Sequence, residues 1–547
     1  MDTASEHRPI HPLELLSLLV AAALIGGCFW LAPQPPPYWI DEVFTAVAVE
    51  DPSLGHMLNA LRDEINALPP LYFILGWLWA KCFGASEMSM RTPSVIGGIV
   101  AIVGLWWGLR RLTSRRVAVA CAICVPLMNQ EFREHLFEAR CYTLYFAAFV
   151  WAWALYVRTG DGELSRRRLD WRVFLVHLLL VAVHYVGGLF SALLVASAWL
   201  TAKIQGDQRY RRYAWSAVAS WAGVLPSLPF YLAQRKLAGE FNWVPRPPVK
   251  LLLTEFITTI DGLPLILALL GTAWLFLEVV GKKCDTKEPA GSRQQLPQLR
   301  PVAIFIGLLI LFIPAIWFES RLAARLFLPR YLFLTMVGWI TLVALVIDSV
   351  WHGILGFSRG PATGAPRDGG ALARVYETGV IWSARWLCWT VVGIMGVFAL
   401  WGLHRMRQVS EHHMNRSWRL RDTLNVVNQY PDLPVITVGI QEFGCLRYYT
   451  GSPARVFLNA DPTCPLQRNF PSIVRYSFAL ERHYYPDSVV TDLPKLINEQ
   501  DRFLVVAYPA QLPESGFFAN PEGWTSTKLK PNLYLWERQT ATPKSNQ

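Results

Sequence analysis

The stretch LELLSLLVAAALIGGCFWL (Leu13–Leu31), followed a few residues later by Pro37-Tyr38-Trp39-Ile40-Asp41-Glu42, decides the fold. An apolar run of this length crosses the roughly 30 Å hydrocarbon core of a bilayer as a helix. A carboxylate pair just outside such a helix, in an aromatic setting, is costly to keep near lipid and is usually kept for chemistry. Working outward, similar runs recur along the chain. Of its 547 residues, 53% are hydrophobic and only 17% charged, against about 25% charged in soluble domains. The expected class is a polytopic α-helical membrane protein with a C-terminal extracytoplasmic α/β domain.

The formal net charge of +11 does not indicate nucleic acid, because the Lys and Arg residues fall in short connections between apolar runs, where they set topology. The expected spans are Leu13–Leu31, Pro93–Leu109, Val117–Met128, Cys141–Val157, Trp171–Val183, Val186–Thr201, Tyr213–Leu232, Ile260–Val280, Pro301–Phe318, Leu332–Val350 and Ile381–Trp401, about eleven in all. Every second connection is basic: Arg110, Arg111, Arg115 and Arg116; then Arg166 to Arg168; then Lys203, Arg209, Arg211 and Arg212; then Lys282, Lys283 and Lys287; then Arg359 and Arg367. The positive-inside rule makes these loops cytoplasmic. The N-terminus is then cytoplasmic, and Asp41, Glu42 and the C-terminal tail lie outside. The first run lacks a small-residue cleavage site and is expected to be a retained helix. The expected location is the inner (plasma) membrane, multi-pass.

The segment from Pro69 to Phe83 is apolar but short, and counting it as a span would move the Arg110–Arg116 cluster outside. It is expected at the outer interface or re-entering. The expected domains are 1–403 within the membrane, with 32–92 as a long first outer loop, and 404–547 as a soluble α/β domain. In the tail, Pro434–Gly439, Arg455–Leu458, Arg502–Tyr508 and Leu533–Trp536 read as strands. Helix-like segments lie at Ser417–Asn428, around Arg447-Tyr448-Tyr449, and at Leu493–Gln500. Cys121 and Cys124 have CxxC spacing inside an apolar segment and read as packing residues. The sequence leaves a disulfide between Cys445 and Cys464 open.

Gathered on the outer face are Asp41, Glu42, Asp63, Glu64 and Asn66; Glu131, Arg133, Glu134, His135, Glu138, Arg140 and Tyr142; His184 and Tyr185; Arg235, Lys236, Glu240 and Arg246; and Arg321, Arg325, Arg330 and Tyr331. Basic residues in outer loops oppose the charge rule, and a phosphate at headgroup level would compensate them through guanidinium contacts. Pairing with lipid headgroups or with Glu319 is the plainer account. Carboxylates plus arginines at one membrane face suit transfer of a sugar from a polyprenyl-phosphate donor. An Asp base deprotonates an acceptor hydroxyl, and Arg or Lys stabilises the departing phosphate. A single base with direct displacement predicts inversion. Plainer roles stand beside these: Asp41-Glu42 as a helix-start pair, His184 as a helix-break histidine bonded to backbone, Tyr72 and Tyr142 as interfacial anchors, and Glu138-Arg140 as a local ion pair.

Trp39-Ile40-Asp41-Glu42, Leu68-Pro69-Pro70-Leu71-Tyr72, Arg91-Thr92-Pro93-Ser94, Glu138-Ala139-Arg140-Cys141-Tyr142-Thr143-Leu144, His184-Tyr185 and Pro329-Arg330-Tyr331 occur in an order and spacing that resembles the GT-C glycosyltransferases. The nearest branch is the protein O-mannosyltransferase and aminoarabinose transferase clan (glycosyltransferase family 39-like), over roughly Leu13 to Leu345. The resemblance implies Asp41 as catalytic base with Glu42 as companion. It implies Glu138 as the residue that orients the acceptor or helps hold a metal. Arg330 and Arg140 would face the donor phosphate, with Arg325 and Lys236 as further phosphate contacts, and Tyr72, His184, Tyr142 and Tyr331 would line the substrate pocket. Relatives often carry His or Lys before Pro-Pro-Leu; here it is Leu68, which puts a ligand from that position in doubt. A divalent metal at Asp41 and Glu138 stays open, and no organic cofactor is implied. The expected partners are the lipid-linked donor, membrane lipids and a lipid, glycan or protein acceptor.

Three rival readings carry less. A lipid-linked glycan transporter or flippase would place charge or broken helices at mid-membrane, often in related halves, and the spans hold little charge and no such symmetry. A polysaccharide polymerase or ligase does not account for the long first loop with Asp-Glu. A membrane sensor leaves the outer polar residues of several loops unexplained.

Overall fold

In the computed structural model the described residues are 10–31, 35–161, 169–241, 246–257, 261–263, 265, 266, 269, 271, 292–322, 326–359, 386, 390–402, 404, 405, 420–460, 471–507, 512, 516–519 and 522–539. The chain divides into two compact units. The first comprises 1–32, 91–226 and 246–408, and the second 33–90, 227–245 and 409–547. The second unit therefore groups residues 33–90 with 409–547, a partition that a linear cut at residue 404 does not express.

Among the described residues six helices are long and apolar enough to cross a membrane: Pro12–Trp30, Glu87–Leu112, Gly187–Gln205, Gln208–Arg235, Leu299–Leu322 and Pro329–Trp351. Four further expected spans appear as shorter helices: Arg115–Met128, Tyr142–Arg158, Trp171–Val183 and Thr390–Gly402. Most of the expected span Ile260–Val280 lies outside the described residues. The second expected span begins earlier than Pro93, at Glu87, because residues 87–92 contain no helix breaker. The stretch from Gln208 to Arg235 is interrupted by a 3₁₀ segment, Trp221–Ser227, around Pro226, which has no N–H to give to a helical ladder.

Within the first unit, close packing rests on small residues. A Cβ at Gly97 would lie 3.0 Å from Thr143 Oγ1 and 3.1 Å from the Leu144 nitrogen, and one at Gly108 would lie within 3.0 Å of two Trp153 ring atoms. Helix Glu87–Leu112 thus meets Tyr142–Arg158 almost backbone to side chain, the geometry that favours association in lipid, where dispersion replaces the hydrophobic drive. Several polar side chains inside the bundle are paired. Glu14 is buried and faces Arg110 Nε at 3.3 Å. His177 lies between Ser191 Oγ and Tyr213 Oη, each at 2.8 Å.

In the second unit a six-stranded sheet is built from β1 (Val435–Thr437), β2 (Val456–Asn459), β3 (Val489–Val490), β4 (Arg502–Val506), β5 (Trp524–Lys530) and β6 (Leu533–Arg538), in the order β3-β2-β1-β4-β6-β5. β3, β2, β1 and β4 are parallel, and β4, β6 and β5 antiparallel. Alternate residues of adjoining strands (Ile436 and Val438; Phe503, Val505 and Ala507; Tyr534 and Trp536) share one buried cluster with Leu493 and Ile497, as the period of two requires. β3, β5 and the helix Pro471–His483 were not legible in the sequence.

The helices Ile40–Glu50, Leu54–Arg62 and Pro70–Phe83 pack in the same unit. Pro70–Phe83 has 14 residues, about 21 Å of helix, shorter than a bilayer core. Helix Ile440–Tyr449 lies against Ile40–Glu50 so closely that a Cβ at Gly444 would meet Ile40 Cδ1. Tyr449 Oη accepts from the Tyr38 N–H at 2.7 Å and donates to Glu87 at 2.8 Å, and Tyr448 Oη donates to Glu50 at 2.6 Å. Cys445 is a free, buried thiol directed at the Tyr38 carbonyl; Cys464 lies outside the described residues. Cys121 and Cys124 are free thiols within Arg115–Met128.

Candidate active site

In the first unit the short helix Gln130–Leu136 is started by Asn129, whose Oδ1 accepts from the Phe132 N–H at 2.7 Å. The chain then turns through 137–141 into helix Tyr142–Arg158, and this turn carries Glu138 and Arg140, both buried. Ser94 pins the turn: its hydroxyl lies 2.5 Å from the Glu138 carbonyl and 3.1 Å from that of Arg140. The Arg91–Ser94 motif thus has a local task in holding the Glu138–Arg140 turn.

His135 lies beside Glu138. Its Nδ1 is 2.8 Å from Glu138 Oε2, and its Nε2 is 3.3 Å from Glu131 Oε2, an ion-pair contact whose angle falls short of a hydrogen bond. Burial alone would strip the ring of its proton. The charges of Glu138 and Glu131 outweigh that and lift it from 6.5 to about 9. His135 packs against Tyr142, tilted by 31° at 4.2 Å between centroids, and meets Phe333 at 5.5 Å. The sequence did not single out His135, although the i, i+4 spacing from Glu131 and the i, i+3 spacing to Glu138 are its signal.

A second histidine has the opposite charge state. His184, between helices Trp171–Val183 and Gly187–Gln205, is 3% exposed. Burial, then the positive charges of Arg140, Arg330 and His135, hold it down at about 3, so it is neutral. Nδ1 accepts from the Val186 N–H at 3.2 Å, which leaves the proton on Nε2. Nε2 has no hydrogen-bond partner among the described residues. The backbone-bonded reading of His184 therefore holds for one nitrogen, and the other is a buried donor. Around it stand Tyr145 at 4.8 Å, Tyr331 at 5.1 Å and Tyr142 at 5.9 Å between ring centroids. Arg140 lies over the Tyr142 ring at 5.9 Å, and Arg330 over Tyr331 at 5.6 Å. The structure thus gathers Glu138, Arg140, Tyr142, His184, Arg330 and Tyr331 within one unit.

Asp41, Glu42 and Tyr72 belong to the second unit. Asp41 is half-buried in the first turn of Ile40–Glu50. Glu42 is 1% exposed, and its Oε2 accepts from the Trp39 N–H at 3.2 Å, so Glu42 closes the helix N-terminus. The helix-start reading is met by Glu42, while Asp41 keeps greater access to solvent. Tyr72 is buried edge-on to Phe73. The Lys236 side chain and Arg325 lie outside the described residues.

The metal expectation is tested by the donor set. A hard divalent cation takes six or more oxygen ligands. The Glu138 carboxylate instead faces an imidazolium, and no group of three or more His, Cys, Asp or Glu able to hold a metal occurs among the described residues. The surroundings of Glu138 do not fit a metal site.

The chain matches no protein-family model and no curated protein sequence. Among solved structures it is similar to ArnT from Cupriavidus metallidurans bound to undecaprenyl phosphate, with a TM-score of 0.58 and 14% identity over 96% of this chain and 98% of that one. The apo state of the same protein gives a TM-score of 0.58 and 14% identity over 95% and 97%. AglB from Archaeoglobus fulgidus, in complex with an inhibitory peptide and a dolichol-phosphate, gives a TM-score of 0.45 and 10% identity over 98% and 75%. The chain therefore shares the fold of that ArnT structure: a helical part with, among the described residues, six helices long and apolar enough to cross a membrane, and a C-terminal sheet domain.

Proposed function

We propose that this protein is an inverting glycosyltransferase that moves a sugar from a polyprenyl-phosphate donor to a hydroxyl acceptor at the outer face of the membrane. The observation that carries the reading is the set of buried Glu138, Arg140 and His184 with partly buried Arg330, beside Tyr142, Tyr145 and Tyr331. It stands in a fold shared with a protein bound to undecaprenyl phosphate. Guanidinium groups and a neutral imidazole N–H, none of which can accept a hydrogen bond at the relevant atoms, suit an anionic phosphate and repel a cation.

In this reading Arg140 and Arg330 hold the donor phosphate and His184 Nε2–H donates to one of its oxygens. Asp41 takes the proton of the acceptor hydroxyl as that oxygen attacks the anomeric carbon. The bond from that carbon to the phosphate oxygen breaks, and both of its electrons leave with the polyprenyl phosphate, whose added negative charge the arginines stabilise. Glu138 orients the acceptor. The acceptor is a lipid, glycan or protein hydroxyl.

The test is transfer from a panel of radiolabelled polyprenyl-phosphate sugars by purified protein, with Asp41→Asn alongside. Removal of a general base costs about 10²–10⁴-fold in turnover, and donor binding should change far less. Full turnover by Asp41→Asn sinks the base assignment. A label confined to the outside should react with cysteine placed at position 41 and in the tail, but not near Arg111.

A further inference from the structure

Tyr213 has one O–H, which donates to the Ala152 carbonyl at 2.8 Å. Its oxygen then accepts from His177, whose Nε2 lies 2.8 Å away. That leaves His177 Nδ1 as the acceptor for the Ser191 hydroxyl at 2.8 Å. Ser191 Oγ in turn accepts the Trp221 Nε1–H at 2.9 Å. The order that satisfies every donor therefore runs one way, from Trp221 to Ala152, through a neutral imidazole protonated on Nε2. An imidazolium would leave the Ser191 O–H with no acceptor in this series. His177, Ser191 and Tyr213 are shielded from solvent.

His177 and Ser191 lie seven residues before and seven residues after His184, on the two helices that flank it. Ala152 lies seven residues beyond Tyr145 on helix Tyr142–Arg158, and Tyr145 stacks on the His184 ring at 4.8 Å. Seven residues are nearly two helical turns, so Tyr145 and Ala152 share a face about 10 Å apart along the axis. The hydrogen-bonded series thus ties Tyr142–Arg158 to both flanking helices about two turns away from His184. Tyr213 brings in a fourth helix, Gln208–Ser220. The hairpin has no slack where it turns, because a Cβ on Gly187 would collide with the Leu180 carbonyl oxygen.

We propose that His177 is a positioning residue for His184: its neutral ring locks helices Trp171–Val183 and Gly187–Gln205 to Tyr142–Arg158, and so aims the His184 Nε2–H at an oxygen of a bound anion. That N–H is a buried donor with no partner among the described residues. The consequence for transfer rests on the proposed function, in which the anion is the donor phosphate; the lock itself does not. Polar side chains between membrane helices commonly serve as glue. Glue alone would change stability without regard to His184, whereas a positioning residue acts through it.

The experiment uses the full-length protein in detergent, labelled with ¹⁵N at histidine, beside donor kinetics from the transfer assay. The His184 ring, assigned by its loss in His184→Ala, should show in wild type one neutral form with the proton on Nε2. His177→Phe, or Tyr213→Phe should the first fail to fold, should convert it to a mixture of the two neutral forms. In kinetics, His184→Ala should raise donor KM about 10-fold or more, the worth of a hydrogen bond to a charged group. His177→Phe alone should show part of that rise. Added to His184→Ala it should raise KM no further, because both substitutions remove one contact. Two results would overturn the proposal: a His184 spectrum identical in wild type and His177→Phe, or effects of the two substitutions that multiply in the double variant. If wild type transfers no sugar from any donor, the transfer reading falls while the ¹⁵N spectrum still decides the lock.

Discussion

Each unit contains a histidine–carboxylate cluster, and the two are built in opposite ways. In the first, His135 is enclosed with Glu131 and Glu138 and packed against aromatic rings. In the second, buried Asp51 accepts from the Ser53 N–H and from Tyr484 Oη and faces His56, which is half open to solvent; nearby, His483 and Arg482 meet exposed Asp63. The first cluster buries the imidazole together with Glu138, the second only the anion. The comparison teaches that pairing a histidine with a carboxylate does not fix its role. Which partner is shielded from water decides which charge the fold must keep.

The largest effect that would sharpen the contrast is on Glu138. Glu138→Ala strands a buried cation, and breaking a buried pair from one side costs about 3–5 kcal/mol. Unfolding in detergent followed by tryptophan fluorescence should show it. A loss below about 1 kcal/mol would mean that His135 sheds its proton cheaply.

Asp51→Asn should cost less, about 1–3 kcal/mol, the range for hydrogen bonds lost at a buried polar group. Its effect should concentrate in the second unit, seen as faster hydrogen exchange in helix Leu54–Arg62.

The smallest effect is a divergence with pH. His135 is raised from 6.5 to about 9 in the fold, so its contribution is complete below pH 6.5 and disappears as pH rises toward 9. For Asp51 and Asp63 burial acts upward. The bonds from Ser53, His56 and Tyr484 to Asp51, and from His483 and Arg482 to Asp63, outweigh it and set both below 3.8. Their contribution is present above pH 3.8 and lost as pH falls beneath it. Hydrogen exchange, normalised to intrinsic rates, should loosen around 130–141 on the alkaline side and around 51–63 on the acid side. Loosening of both at the same end would break the comparison.

Some of this was legible in the sequence and some was not. The apolar runs gave the spans because crossing a bilayer depends on local length and hydropathy alone. β1, β4 and β6 were readable as compact runs of Val, Ile, Leu and aromatic residues. β5, with Thr525, Ser526 and Thr527 exposed, was not, because an edge strand need not bury its side chains. The spacing Glu131, His135, Glu138 is visible in the sequence, but on a solvated helix it would be a weak surface pair.

The sequence by itself determined the apolar helical class and the rough place of the helices long enough to cross a membrane. These follow from transfer free energies summed over neighbours in the chain. The tertiary structure alone decided that Ser94 pins the Glu138 turn, that His135 carries charge while His184 does not, and that residues 33–90 share a unit with 409–547. The Ser94 contact and the shared unit bring together groups far apart in sequence, whereas the charge of His135 depends on how deeply close neighbours in the chain are buried. The cost or gain of a charge there is set by the water those groups exclude, and no local pattern records that.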